Sequence, residues 1–170
     1  MSEDAIINKV QQSGLVTIDL EEYFHFGEKV LFDIKDYLYE GIILKEKDFR
    51  GYLKEHNWDA YKGKNVAITC SADAIIPTWA YMLVVAKLQP EANLVVFGTL
   101  KDLHAKIFLD AIAKINAADY TNAKVVIKGC GKLEVPVSAY VELTNKLLPI
   151  VSSIMYGEPC STVPVYKQLK

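Results

Sequence analysis

A chain of 170 residues suffices for one domain that buries its own core, and 51% hydrophobic with 24% charged residues is an ordinary globular balance. A formal net charge of −2 speaks against a dedicated nucleic-acid binder, which carries a basic face. No apolar run approaches the roughly 18 residues that span a bilayer, and the opening MSEDAIINKVQQSG lacks the basic and apolar regions of a signal peptide, so the expected location is the cytoplasm.

In chain order, residues 1–13 carry a modest helical pattern through Ile6, Ile7 and Val10, which Ser13-Gly14 ends. LVTIDL (15–20) alternates as a strand does, KVLFDI (29–34) is a second strand candidate and EGIILK (40–45) a third. EKDFRGYLKEH (46–56) is helical, with Phe49, Tyr52 and Leu53 on one face, and NWDAYKGK is a turn or loop. NVAITC, NLVVFG and KVVIKG are continuous apolar runs, the mark of strands buried on both faces. Helical segments at 77–88, 100–115 and 136–148 alternate with them, and IVSSIMYG (150–157) is a candidate last strand.

This alternation predicts a single α/β domain over 1–170. Its mainly parallel sheet would carry helices on both faces in a three-layer α/β/α arrangement, with the N-terminal strands extending or capping it. An internal echo runs through the pattern: PTWAYMLVVAKL and PVSAYVELTNKL share Pro, Ala-Tyr and Lys-Leu at the same offsets, and each follows a strand and a cysteine. Two βα units packing alike would produce it, and so would a duplication. On either account Cys70 and Cys130 read as occupying equivalent places.

The three cysteines carry the chemistry. An odd number without close spacing, in a reducing compartment, reads as free thiols or metal ligands. Cys70, Cys130 and Cys160 each follow a predicted strand, so in one parallel sheet all three would arrive at its carboxyl edge, where ligands bind. Three thiolates suit zinc or an iron–sulfur cluster. Gly129 and Gly131 would let the backbone come close. Asp73, Glu158, His25 and Asp19 are candidates for the fourth ligand or for orienting the site.

The ordinary alternative is that these are small buried hydrophobes, and no CxxC or CxxxH pair is present. A second chemical reading makes Cys70, at the head of a helix, a nucleophile. It requires a base, for which His25 in EYFHF is the plausible histidine, because His104 lies within a helix and His56 closes one. The aromatic N-terminal third (Tyr23, Phe24, Phe26, Phe32, Tyr37, Tyr39) reads as core or homodimer contact, and no G-x-G-x-x-G or P-loop motif supports nucleotide binding.

FDIKDYLYEGIILKEKDFR, VAITCSADAIIPTWAYM, VVIKGCG and SIMYGEPCSTVPVYK together resemble an uncharacterised bacterial family, domain of unknown function 2480, over nearly the whole chain. That family has no established activity. The resemblance implies an accessory role in SUF-type iron–sulfur cluster assembly, with assembly proteins as partners, and assigns no catalytic residue.

Overall fold

A computed structural model of the chain describes residues 14–23, 27–129 and 131–169. The helical pattern read over 1–13, His25 and Cys130 lie outside these residues. In order the elements are strands β1 (Leu15–Asp19) and β2 (Lys29–Asp33), helix α1 (Glu46–Glu55), β3 (Asn65–Thr69), α2 (Thr78–Leu88), β4 (Leu94–Phe97), α3 (Leu100–Ala113), β5 (Lys124–Lys128), α4 (Val137–Leu147), β6 (Ser153–Glu158) and β7 (Ser161–Lys167). The class is α/β with mainly parallel strands.

The strands form two sheets, where the sequence pattern suggested one. One has the order β2-β3-β4 and is wholly parallel. The other has the order β1-β5-β6-β7, parallel except for the β6–β7 hairpin. The contacts divide the chain into two compact units, residues 25–106 and residues 1–24 with 107–170. Each has its own core. Phe32, Ile34, Phe49, Leu53, Val66 and Val84 belong to the first, and Ile18, Leu20, Phe108, Ile112, Val125 and Leu143 to the second. Ala67 and Val126, pointing opposite to these strand residues, are buried too, so both faces of β3 and of β5 are covered.

The echo between the two Pro-Ala-Tyr segments is one part of a longer correspondence. β3 and β5 start 59 residues apart (65 and 124), as do α2 and α4 (78 and 137) and β4 and β6 (94 and 153). The core follows the same spacing: Phe49 with Phe108, Leu53 with Ile112, Ala80 with Ala139, and Leu88 with Leu147. Gly63 and Asn122 take the same left-handed turn before the central strand, at φ 70° and 58°, a conformation those two residue types tolerate best. Pro77 and Pro136 stand just before their helices, and each carbonyl accepts from an alanine N–H three residues on at 2.9 Å.

Two segments differ from expectation. EGIILK is not a strand, because Glu40 and Gly41 both adopt positive φ and fold it into a tight turn with one isolated bridge, Tyr39 to Ile43. PCSTVPVYK, which follows the last strand candidate, supplies the turn and all of β7. Pro164 is tolerated there because β7 is an edge strand.

Candidate functional site

Parallel strands bring their carboxyl ends to one edge, and in each unit an aspartate ends the first strand. Asp33 ends β2 beside Thr69 of β3, and Asp19 ends β1 beside Lys128 of β5. Both carboxylates first bind the backbone two residues on, Asp33 accepting from Lys35 N–H and Asp19 from Glu21 N–H at 3.0 Å. They then differ in what they hold across the sheet.

In the unit of β2, Asp33 clasps the loop that follows β3. It accepts the Ser71 hydroxyl at 2.6 Å and the Ser71 N–H at 3.0 Å. Burial pushes the carboxyl up, but the Ser71 hydroxyl and N–H, the Lys35 N–H and the Lys35 charge outweigh it and hold Asp33 below its ordinary value. Cys70 is half-buried beside this clasp, its thiol pointing at the Ala72 carbonyl at 3.9 Å. Tyr81 feels the same neighbourhood: burial, then the Cys70 and Asp33 charges, raise its phenol. Asp73 is exposed on the same loop.

In the other unit, Lys128 bridges Asp19 at 3.0 Å and Glu158, at the end of β6, at 3.7 Å. The hydrogen bond and charge of Asp19, then the charge of Glu158, raise the lysine. The loop after β5 is held by Glu21, whose carboxylate accepts the N–H groups of Gly131 and Lys132. Cys160 is exposed in the two-residue turn, Pro159-Cys160, between β6 and β7.

The carboxyl edge on which three cysteines would converge is therefore not one edge. Cys70 belongs to the sheet of β3, and Cys160 follows β6 in the other sheet. Nor are Cys70 and Cys130 equivalent: the spacing of 59 matches Cys70 with Gly129, and Ser71 with Cys130. Among the described residues no group of three or more His, Cys, Asp and Glu side chains is arranged to hold a metal ion. Asp19, a candidate fourth ligand, is engaged by Lys128.

The two described histidines have other partners. His104 lies 3.1 Å from the Lys29 ammonium. His56 closes α1, but it is set among Phe32, Tyr37, Trp58 and Tyr61, with Tyr37 Oη 3.1 Å from Nδ1 and Tyr61 Oη 3.2 Å from Nε2. Burial lowers its pKa below the ordinary 6.5, so the ring is no dipole-stabilised cation. Asp33 and Glu21 are not among the residues that the cysteine pattern points to. The signal lay in IDLEEY and FDIKDY, two copies of one strand-end motif.

A family model described as protein of unknown function (DUF2480) matches residues 4–168, and the chain belongs to that family. No curated protein and no solved structure matches it. Among the described residues, no helix is long and apolar enough to cross a membrane.

Proposed function

We propose that this member of the DUF2480 family is a cytoplasmic accessory protein that binds zinc or an iron–sulfur cluster through Cys130 and Cys160, in the service of cluster assembly. The observation that carries the reading is the pairing of β5 with β6. The two strands are parallel neighbours, Ile127 standing beside Tyr156, so the segments bearing Cys130 and Cys160 leave the same edge of one sheet. Glu158 ends β6 at that edge and is the carboxylate at hand, more loosely held by Lys128 at 3.7 Å than Asp19 at 3.0 Å, while Glu21 fixes the backbone at Gly131 next to Cys130. Two thiolates and a carboxylate leave one tetrahedral position open, as a site that receives or hands on its metal requires. Cys70 enters as a separate thiol at the corresponding edge of the other sheet, with Asp73 exposed nearby.

The test is the metal and acid-labile sulfide content of protein purified without oxygen or an affinity tag, with its absorption spectrum. Cys130→Ser and Cys160→Ser should each abolish stoichiometric zinc or iron, and Cys70→Ser should leave it intact. Metal-free protein that takes up neither ion afterwards would overturn the reading. Retention by both variants would do the same. A single cysteine of unusual reactivity toward iodoacetamide, at position 70, would favour the thiol-enzyme alternative.

A further inference from the structure

The repeat supplies its own control for an open sheet edge. In one unit β6 is covered on its outer side by β7, paired antiparallel from Ser153–Lys167 to Glu158–Ser161. Its counterpart β4 pairs with β3 alone and ends its sheet, so among the described residues no strand covers its outer edge. Such an edge turns the N–H and C=O of alternate residues outward, a template for another strand. The other three edge strands carry the usual protection. β1 has Asp19, β2 has Lys29 and Asp33, and β7 has Pro164 and Lys167. β4, Leu-Val-Val-Phe, has neither charge nor proline.

The apolar surface continues from this edge onto α2. Tyr81 packs edge-on against Phe97 with ring centroids 5.2 Å apart, which identifies the flank of α2 that leans toward β4. The opposite flank carries Trp79, which meets Phe49 of α1. Val85 is one turn beyond Tyr81 on the β4 flank, with Met82 beside it. Phe97 is 70% exposed, Met82 66% and Val85 40%.

We propose that β4 and this flank of α2 form the interface of a homodimer, with β4 pairing antiparallel to β4 of a second copy about a two-fold axis at Val96. A second copy is the occupant the chemistry fits. Self-pairing places Val96 opposite Val96 and Val95 opposite Phe97, so no like charges meet, which is the usual obstacle to a strand pairing with itself. The same axis sets the two α2 helices side by side on one face of a continuous six-stranded sheet, bringing Met82, Val85 and Phe97 of both copies into the contact. The helices are needed, because a four-residue strand pair falls short of the roughly 1,200 Å² of a stable interface. This inference does not depend on the metal reading.

The experiment is light scattering on the full chain over a wide concentration range, with hydrogen exchange read at the β4 amides. A dimer is expected, with the outward-facing amides of β4 more protected at high concentration and the alternate amides, bonded to β3, unchanged. Met82→Glu should weaken dimerisation about a hundredfold by placing two like charges near the axis, and Phe97→Asp should do the same. Met82 stands on the exposed side of a helix, so its variant keeps the fold even if Phe97→Asp does not, and circular dichroism checks both. A monomer at every concentration overturns the proposal, as does a dimer indifferent to Met82→Glu. A monomer whose β4 takes up a strand from a different protein also overturns it.

Discussion

His56 and Ile115 occupy the same position in the two units, 59 residues apart, and the tyrosines around them respond accordingly. Without an imidazole, Tyr120 bonds Tyr23 directly, and burial, that bond and the Tyr23 and Asp119 charges push the Tyr120 phenol up to about 12. With His56 in place, the ring bridges Tyr37 and Tyr61, one nitrogen donating and the other accepting. Burial raises both of those phenols as well. The histidine is thus a polar spacer in an aromatic core.

A pH dependence follows from that setting. Burial lowers His56 below 6.5, so the unfolded chain takes up its proton at a higher pH than the native one. The native advantage is complete above about pH 6.5 and is lost as the pH falls through the folded value. Urea unfolding at about pH 7.5 and 5.5 should show wild-type stability falling on acidification, and His56→Ile losing part of that fall. The variant should also cost about 1–3 kcal/mol at neutral pH, through the two phenols left without their partner. An equal pH slope in both proteins would show that His56 does not titrate in this range.

The clasp of Ser71 by Asp33 gives a second prediction. Ser71→Ala removes a hydroxyl from a carboxylate that keeps two N–H donors, at a cost of about 1 kcal/mol. Asp33→Ala removes all three bonds at an exposed site where water can take them over, and should cost about 1–2 kcal/mol. Because Asp33 is held below its ordinary 3.8, its contribution is present above that pH and disappears as the pH falls through the folded value. A double-mutant cycle on Asp33 and Ser71 at neutral pH should show coupling that vanishes in strong acid. No coupling at neutral pH would mean that the loop after β3 is held by something else.

Several elements were legible because their signal is local. The buried runs NVAIT and KVVIK, and the i, i+4, i+8 faces Ala80–Val84–Leu88 and Ala139–Leu143–Leu147, announce strands and helices directly. Which strands pair is a non-local property. β1 reaches past the whole of the other unit to join β5, and nothing in LVTID states that choice. The single sheet edge for three cysteines was an inference from order alone, and it failed at that step. The repeat was visible in PTWAYM and PVSAYV but obscured elsewhere, because the core positions keep size and apolarity while changing residue: Leu53 against Ile112, Val84 against Leu143.

Equivalent core positions should bear equivalent weight. Phe49 and Phe108 are each fully buried at the same place in their units. Replacing either by Ala should cost about 3–5 kcal/mol, the transfer loss plus the cavity left behind. Denaturant unfolding of the two variants measures this, and hydrogen exchange shows whether β3 loosens in one and β5 in the other. A cost below about 1 kcal/mol at either position would contradict a closed core there.

The place where Cys70 departs from its counterpart Gly129 is open to a direct test. A Cβ added at Gly129 would stand 2.7 Å from the Tyr140 hydroxyl and 2.9 Å from Val135. Tyr140 and Tyr81 are equivalent, so one unit has a thiol beside its tyrosine and the other requires a glycine there. Gly129→Ala should destabilise by about 1–3 kcal/mol through this overlap. Val135 stands in the loop between β5 and α4, and Tyr140 in the first turns of α4, so the strain should fall on that loop and loosen Gly131 from Glu21. Tyr140→Phe deletes the nearer atom, and combined with Gly129→Ala it should recover part of the loss, a favourable coupling measurable in a thermodynamic cycle. Additive costs would mean that Val135 is the obstacle, and Val135→Ala would then be the rescuing partner.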